Sequence, residues 1–474
     1  MGNSRELHEL TLIELAASIR KGDVSPVEVT EHYLRRAHER NDQLGAFFAI
    51  ADEQALEQAR GAEKELLEGD PADRPLLGVP VPVKDLNLVE GLPFTLGSTI
   101  FKDFIAPMDD FVAQAIRRSG AVIMGKTATP EFGLPCYTET DLAPPARTPW
   151  DLTRSAGGSS GGAAAAVAAG LAPAAQGSDG GGSIRIPSSV CGLFGIKPTR
   201  GRVSEGPIMP DLSGLAISGP IARTVADAAL LLDVLTGNHP GDMYTLPRPE
   251  RPFLSYAASD PPRLRIARTL GHPIEGAGVH PDCVAAYEDA TALLADLGHE
   301  VIDIASPFDP SSVPHFETLW YAMATLAPID QAQVGMLRPL TRYLRERGLA
   351  VSAAELCAAQ GALQGLTRTA LATLNSYDAI LTPTLAQPPA PVGWFEEVEP
   401  AENFERQKAF TPYTAVFNVS GQPAVNVPLH WNADDLPIGI MLAGRMGEEP
   451  TLIQLAAQLE RARPWKDRHP AIWH

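Results

Sequence analysis

The chain has little positive charge for its size and no long basic run. Its 474 residues include 38 Lys and Arg against 57 Asp and Glu, a formal net charge of −19 with histidine neutral. Nucleic acids and anionic membranes are bound through clustered Lys and Arg, so this balance argues against both as partners. The 45% hydrophobic and 20% charged fractions are typical of a globular chain and differ from the composition of disordered proteins.

Cysteine is also scarce, and no apolar run is long enough to cross a bilayer. The four cysteines are Cys136, Cys191, Cys283 and Cys357. They form no CxxC pair and no zinc-ligand pattern with histidine, so we expect buried free thiols in a reducing cytoplasm and no metal site. Residues 1–10 lack the apolar core of a signal peptide, and residues 162–175 are mostly alanine and too short for a membrane span. These absences predict a cytoplasmic protein.

Short apolar runs alternate with stretches of helical periodicity along most of the chain. The runs predicted as strands are residues 77–83, 121–124, 264–267, 301–304, 379–381, 424–427 and 438–442. The predicted helical stretches are residues 9–70, 110–119, 224–235 with Thr224 as N-cap, 280–297 and 451–462. This alternation predicts an α/β protein with a buried, largely parallel or mixed sheet.

Residues 305–375 follow the least regular pattern and leave two interpretations open. Their aromatic and methionine residues are Trp320, Tyr321, Met323, Met336 and Tyr343. Helices in this region could pack these side chains into the core. Alternatively, the region forms a lid or pocket wall, because such side chains commonly line substrate sites.

Glycine is concentrated in two segments, residues 155–162 and 177–187, each of which contains a serine of interest. A phosphate-binding loop is excluded because neither segment has a Lys followed by Ser or Thr after its last glycine. A nucleophile elbow matches Gly157 to Gly161 as G-x-S-x-G, but it needs a buried strand immediately before it, where residues 148–154 are polar. The histidines that could complete a triad, His299, His315 and His430, lie in no recognisable motif.

A third interpretation treats both segments as turns around two cooperating serines. Consecutive glycines let backbone N–H groups converge on a developing oxyanion, and Gly180, Gly181, Gly182 and Ser183 would supply them. Ser183 would be the nucleophile, and it needs a base.

Lys84 is the candidate base, because it ends an apolar run and burial favours a neutral amine. The local pattern is equally compatible with a strand-end lysine that reaches solvent or pairs with Asp85.

Four ordered blocks of the sequence resemble the amidase signature family. They are residues 82–86 (PVKDL), 157–162 (GGSSGG), 177–187 (GSDGGGSIRIP) and 191–199 (CGLFGIKPT). The spacing agrees as well, with 75 residues from Lys84 to Ser159 and 24 from Ser159 to Ser183. Residues 12–36, 125–127, 377–384, 418–423 and 436–439 resemble the flanking blocks of that family, so the resemblance covers most of the chain.

This resemblance implies a fold and a catalytic set. The fold would be a single domain over residues 1–474, built on a large mixed β-sheet with helices on both faces. Within it, residues 1–70 would form N-terminal helices, 75–205 the signature core and 305–400 a variable substrate-pocket region. Ser183 would attack the carbonyl, Ser159, after a cis peptide bond from Gly158, would relay the proton, and Lys84 would be the ultimate base. No metal or organic cofactor is implied.

The resemblance also assigns supporting residues, and mostly apolar or aromatic segments beside the signature supply the pocket candidates. Asp179 and Arg185 would hold the Gly180–Ser183 backbone in place. Ser160 would be a hydrogen-bonding support residue, because the relay serine of the family is the first of the pair. One departure is Gly180, where many members of the family have Thr. The pocket candidates are Leu134, Cys136, Tyr137 and Met209.

The predicted substrate is a hydrophobic or aryl amide, cyclic amides included, with carbamate (urethane) or ester cleavage as a second activity of a monomer or homodimer. The alternative is the glutaminase component of a glutamyl-tRNA amidotransferase, its A subunit, which works only within a complex.

Overall fold

The computed structural model describes residues 5–69, 72–207 and 213–474. Met209, predicted on the pocket wall, lies outside these residues. The strands are β1 (Phe47–Ile50), β2 (Pro80–Lys84), β3 (Val122–Thr127), β4 (Ala174–Asp179), β5 (Phe194–Lys197), β6 (Ile217–Ala222), β7 (Arg265–Arg268), β8 (Glu300–Asp303), β9 (Ala379–Pro383), β10 (Ala424–Trp431) and β11 (Pro437–Gly444).

Eight of these strands form one mixed sheet in the order β4-β6-β5-β10-β11-β9-β7-β8. Strand β7 pairs in parallel with β8 and β9, and the remaining neighbours are antiparallel. The other three strands form a separate small sheet, β1-β3-β2. A large mixed sheet in an α/β protein is therefore confirmed, and the end of the small sheet meets it at β4, where the backbone N–H of Lys84 donates to the side chain of Gln176.

All seven predicted strands are present, with shifted ends, but four strands of the described chain escaped prediction. These are β1, β4, β5 and β6, and β4 includes the first residues of the second glycine segment, Gly177 to Asp179. Gly, Ser and Asp are rare in strands, so local preference predicted a loop there. Pairing of all six residues of β4 with β6 outweighs that preference.

Helices pack against both sheets and against one another. They are α1 (Leu12–Lys21), α2 (Pro26–Leu44), α3 (Asp52–Glu68), α4 (Phe111–Arg118), α5 (Gly161–Ala168), α6 (Arg185–Cys191), α7 (Val225–Leu235), α8 (Phe253–Tyr256), α9 (Pro281–Asp296), α10 (Ser312–Met323), α11 (Pro339–Leu349), α12 (Ala353–Leu374), α13 (Pro400–Phe410), α14 (Val416–Ser420) and α15 (Glu449–Ala462). Thr224 caps α7 as predicted, because its hydroxyl accepts the N–H of Asp227.

Two expectations about local structure need correction. The N-terminal region is not purely helical, since β1 lies between α2 and α3 and pairs with β3. Cys357 is exposed on α12, whereas Cys136, Cys191 and Cys283 are buried free thiols as expected. The buried residues of α12 are Ala359, Leu363, Ala370 and Leu374, so the position of Cys357 is not covered.

Residues 305–375 fold mainly as α10, α11 and α12, and both interpretations of this region hold in part. Trp320 and Tyr321 are buried in a helical cluster with Leu344 and Leu363, while Met336 remains 48% exposed. Trp320 also faces the cavity described below. The region therefore supplies both core and cavity wall. No helix in the described part of the chain has the length and apolar character needed to cross a bilayer.

Candidate active site

Lys84 ends strand β2 with its side chain in the interior. The residue has no solvent exposure, and its Nζ lies 2.8 Å from Ser159 Oγ and 3.1 Å from Ser178 Oγ. Asp85 turns the other way and forms a buried ion pair with Lys126, at 2.7 Å. The structure thus excludes both alternatives that the local sequence left open, a solvent-exposed lysine and a Lys84–Asp85 pair.

The environment of Lys84 favours the neutral amine. Burial lowers the pKa of Lys84 to about 7, although the carboxylates of Asp179 and Glu205 act in the opposite direction. Among the described residues, the hydrogen-bond partners of Nζ are all serine oxygens, the third being the carbonyl of Ser178 at 3.4 Å. A lysine that is partly neutral at pH 7 and touches a serine hydroxyl can accept a proton from it.

The loop that carries Ser159 is held by close backbone packing. The Gly158–Ser159 peptide bond is cis. A Cβ at Gly158 would lie 2.7 Å from the backbone nitrogen of Tyr137, so only glycine fits. Ser160 links this loop to its surroundings: its N–H donates to the carbonyl of Ser183 at 3.2 Å, and its hydroxyl donates to the carbonyl of Ser178 at 3.1 Å. These bonds bring the two glycine segments together.

Asp179 and Arg185 organise the turn before Ser183. The guanidinium binds the carboxylate through two nitrogens, at 2.9 and 3.0 Å, and both residues are fully buried. Asn418 completes the network by donating to Asp179 Oδ1 at 2.9 Å and accepting from Arg185. Burial opposes ionisation of Asp179, but the Arg185 charge and these hydrogen bonds hold its pKa below the usual range. Asp179 is therefore an anion fixed beneath the loop.

The carboxylate of Asp179 removes one predicted oxyanion donor. The N–H of Gly182 donates to Asp179 Oδ1 at 2.7 Å, and the N–H of Ile184 donates to Oδ2 at 3.1 Å. Gly182 is thus wrong as an oxyanion donor, because its hydrogen already has an ionised acceptor. Within the described residues, the N–H groups of Gly180, Gly181 and Ser183 have no acceptor.

We expect Gly182→Ala to destabilise the protein by about 2–4 kcal/mol, with Gly180→Ala as its matched control. Gly182 has φ +137°, and a Cβ there would lie 2.5 Å from Thr414 Oγ1. A Cβ at Gly180 meets nothing closer than 3.9 Å, so its substitution should change the free energy of unfolding by less than about 0.5 kcal/mol. Urea unfolding of both variants measures the difference, and equal stabilities would contradict the expected clash.

A mostly apolar cavity opens onto Ser183 and Gly181. Its apolar wall includes Leu134, Pro135, Cys136, Ile186, Val313, Phe316, Trp320, Leu363, Phe404, Val416 and Val419. Leu134 and Cys136 therefore lie where they were predicted. Tyr137 does not, because its ring stacks on Phe395 at 4.6 Å and its hydroxyl accepts from Asn403 at 2.8 Å.

Two of the histidines considered for a triad, His299 and His430, have other neighbours. His299 contacts Gln458 at 2.8 Å, and His430 lies 3.6 Å from Asp289. No strand of the described chain directly precedes Gly157, so the structure contradicts the nucleophile-elbow interpretation. No group of three His, Cys, Asp or Glu side chains in the described ranges could hold a metal ion.

Sequence reasoning missed several residues around Lys84. Ser178 contacts its amine, Gln176 accepts its backbone N–H, and Asn418 holds Asp179. Ser178 lies inside the glycine segment, and recognising β4 would have indicated which of its side chains face Lys84. Asn418 is 239 residues from Asp179, so no local pattern relates the two residues.

The structure is a mixed-sheet α/β fold in which a buried lysine, rather than a histidine, adjoins a serine in the first glycine segment and a serine in the second. The family model "Amidase" matches residues 28–453. The chain therefore belongs to the amidase family. It is a hydrolase of the amidase signature type, and amides are the substrates of this class.

Individual relatives cover nearly the whole chain. The 6-aminohexanoate-cyclic-dimer hydrolase of Paenarthrobacter ureafaciens is 34% identical over 96% of this chain and 95% of its own length. The acylamidase of Rhodococcus erythropolis is 33% identical over 98% of each. The A-type subunit of the glutamyl-tRNA(Gln) amidotransferase of Thioalkalivibrio sulfidiphilus is 34% identical over 98% of this chain and 99% of its own length.

Solved structures give the same result. A 6-aminohexanoate cyclic dimer hydrolase complexed with substrate superposes with a TM-score of 0.91 at 31% identity, over 98% of this chain and 100% of that one. A bacterial aryl acylamidase of the amidase signature family superposes with a TM-score of 0.86 at 27% identity, over 97% of each chain.

Proposed function

We propose that this protein hydrolyses the C–N bond of a hydrophobic or aryl amide through a seryl acyl-enzyme. The observation that carries the proposal is the 2.8 Å contact between Lys84 Nζ and Ser159 Oγ. It joins a fully buried lysine whose pKa is about 7 to the loop that hydrogen-bonds Ser183. A base, a relay and a nucleophile facing a cavity are the parts that serine-based acyl transfer needs.

The mechanism follows from this order of groups. Ser183 attacks the carbonyl carbon while its proton passes to Ser159, whose own proton passes to neutral Lys84. The backbone N–H groups of Gly180, Gly181 and Ser183 are the proposed donors to the oxyanion. When the C–N bond breaks, Lys84 returns the proton through Ser159 to the departing amine. Water then attacks the acyl-enzyme with the same proton route and releases the carboxylic acid.

The cavity wall indicates the substrate class. Phe316 and Trp320 stack at 5.4 Å, and a Cβ at Gly181 would lie 3.3 Å from Trp320, so an indole borders the proposed oxyanion donors. An aromatic or aliphatic amide would bury its apolar part there. Two relatives act on 6-aminohexanoate cyclic dimer and on acylamides, as their names state, which is consistent with an uncharged amide. Carbamates and esters present the same carbonyl and are proposed as secondary substrates.

We also propose that residues 1–474 are one amidase domain, which acts in the cytoplasm as a monomer or homodimer without a metal or organic cofactor. A single hydrophobic cluster joins Leu12 near one end of the chain to Trp465 near the other, which supports one domain.

A second candidate function is that of the A subunit of a glutamyl-tRNA amidotransferase, favoured by the relative from Thioalkalivibrio sulfidiphilus. The apolar wall around Trp320 fits the glutamine carboxylate and ammonium groups poorly, since buried charges need partners.

A substrate panel separates the two functions. The purified chain, without any partner, is incubated with an anilide, an aliphatic amide, a cyclic diamide, a carbamate, an ester and glutamine. We expect turnover of the apolar amides and at least about a hundredfold lower kcat/KM for glutamine, because its charged groups would lose their hydration in the apolar cavity. Turnover of glutamine only, or only after a partner is added, would favour the amidotransferase.

The same substrate panel, applied to Trp320→Ala, tests whether the indole determines the preference for aromatic amides. Removing the indole should lower kcat/KM for the anilide about tenfold or more while changing the ester of a small acid little, because stacking area is lost and the reacting groups stay in place. Tyr321→Ala is the matched control, since its ring lies in the same helix but is not part of the cavity wall. An equal loss for both substrates would remove Trp320 from the substrate site.

A further inference from the structure

A second carboxylate, that of Glu205, binds a serine whose cross-strand partner binds the Lys84 amine. Glu205 is in the loop between β5 and β6, and it accepts hydrogen bonds from the backbone N–H of Ser218 and from its hydroxyl, the latter at 3.1 Å. Ser218 in β6 pairs directly with Ser178 in β4. Ser178 accepts hydrogen bonds from Lys84 Nζ. Facing residues in such a pair have Cα atoms about 4.5–5.5 Å apart. Glu205 and Lys84 therefore bind two serines, Ser218 and Ser178, that face each other on adjacent strands.

Gln176 connects the same groups by a second route. Its Nε2 donates to Ser218 Oγ at 3.3 Å, and its Oε1 accepts the backbone N–H of Lys84 at 2.9 Å. Because the Ser218 hydroxyl donates to Glu205, its lone pairs are available to Gln176. The carboxylate thereby fixes the direction of every hydrogen bond between itself and the Lys84 backbone.

The charges around Lys84 make Glu205 electrostatically important. The acidic groups that act on the amine are Asp179 and Glu205. Asp179 forms a buried ion pair with Arg185. Asp85, next to Lys84 in the chain, pairs with Lys126.

Arg200 and Arg202 lie in the described part of the same loop as Glu205, and Asp242, which follows α7, binds the neighbouring Ser204. Arg202 pairs with Glu449 at 3.0 Å, and Arg200 donates to the carbonyl groups of Asn418 and Val419. Asp242 accepts from Ser204 at 2.7 Å and from the N–H of His239. None of these acts on the Lys84 amine.

We propose that Glu205 is a positioning residue that sets the protonation equilibrium of Lys84 through Ser218 and Ser178. Its negative charge stabilises the ammonium form, which must return a proton when the amine leaves. This inference rests on the proposed function, in which Lys84 is the base and then the acid.

Glu205→Gln tests the proposal, because glutamine keeps the shape and still accepts the N–H of Ser218. Without the negative charge the ammonium form is less stable, so the pKa of Lys84 falls. The rising limb of kcat/KM against pH should therefore move to lower pH, by about 0.5–1 unit. Asp242→Asn is the matched control, since it neutralises a carboxylate of the same neighbourhood that does not act on Lys84, and it should leave the limb in place.

A readout without turnover accompanies the kinetics. Lysine labelled with ¹³C at Cε is titrated by NMR in the wild type and in Glu205→Gln, with the Lys84 signal assigned from its loss in Lys84→Met. A lower Lys84 pKa in the glutamine variant supports the proposal, and an unchanged or higher pKa overturns it.

Failure of this inference is distinguishable from failure of the proposed function. If Lys84→Ala keeps full activity, the proposed function itself is wrong. Lys84→Ala could instead be inactive while Glu205→Gln leaves both the rising limb of kcat/KM and the pKa of Lys84 unchanged. In that case only the role of Glu205 is wrong. Should Glu205→Gln not fold, Ser218→Ala removes the hydrogen bond from the Ser218 hydroxyl to the carboxylate and keeps the one from the Ser218 backbone N–H. It should shift the limb in the same direction by a smaller amount, and no shift overturns the proposal.

Discussion

Ser183→Ala is expected to abolish turnover, with kcat falling by about 10⁵–10⁶-fold, because the hydroxyl that forms the acyl-enzyme is removed. Ser183 is at the start of the turn into α6 and borders the cavity together with Gly181. Its backbone carbonyl already binds Ser160, so replacing the hydroxyl leaves the loop contacts intact. The measurement is the steady-state hydrolysis of the best amide from the panel.

Ser188→Ala is the matched control for this experiment. Ser188 is five residues further along, in α6, and its hydroxyl is buried without a hydrogen-bond partner among the described residues. Removing it should preserve activity and cost little stability. Mass spectrometry of enzyme mixed with an activated ester should show an acyl adduct on the wild type and on Ser188→Ala. An adduct of equal yield on Ser183→Ala would refute the assignment of the nucleophile.

Lys84→Ala is expected to lower kcat by about 10⁴-fold, since it removes the base and the later acid together. In the wild type, kcat/KM should rise with pH through about 7, the pKa of buried Lys84, because the neutral amine is the form that accepts the proton. The variant should lose this limb along with its rate. A pH profile of both proteins measures the two effects, and a variant with an unchanged limb would show that another group titrates.

Lys197→Met is an unusually close control for the lysine experiment. Lys197 is also fully buried, and burial lowers its pKa to about 7 as well. Its amine donates to the carbonyl of Pro198 at 2.9 Å and hydrogen-bonds no serine in the part of the chain that the structure describes. We expect Lys197→Met to remain within about tenfold of the wild-type rate. A loss as large as that of Lys84→Ala would mean that burial of a lysine, and not contact with Ser159, is what activity requires.

Lys84→Met separates loss of chemistry from loss of fold. The folded-state pKa of Lys84 is depressed from 10.5 to about 7, so between these values the unfolded chain binds more protons. The contribution of Lys84 to the free energy of unfolding therefore increases with pH between about 7 and 10.5, and it is least favourable below pH 7. Replacing the amine with a thioether of similar length should leave the melting temperature at pH 6 equal or higher, while activity stays absent.

Prediction from the sequence succeeded where local pattern and structure agree. Strand β2 is apolar up to Val83 and buried throughout, and Thr224 precedes the regular helix α7. The strand and the helix were therefore both recognisable from the sequence. Strand β4 was missed because Gly177 and its neighbours are poor strand formers. Its pairing with β6 is a long-range effect that no window of sequence contains.

The candidate site was also predicted only in part. Lys84, Ser159 and Ser183 were named from ordered motifs, whereas the partner of Asp85 was not, because Lys126 is 41 residues away. The oxyanion donors were assigned from consecutive glycines, and one assignment failed. Whether a backbone N–H is available depends on the acceptor facing it, and the acceptor of Gly182 is Asp179.

The sequence by itself determined the class of fold, the family and the serine and lysine residues of the candidate site, because these are encoded in residue type, order and spacing. Only the tertiary structure decided that Lys84 is fully buried against Ser159 and Ser178, that the wall of the cavity includes Trp320, and that Glu205 stands behind Ser218. The physical reason is that a lysine's pKa and a donor's availability are set by neighbours in space, and those neighbours come from strands far apart in the chain.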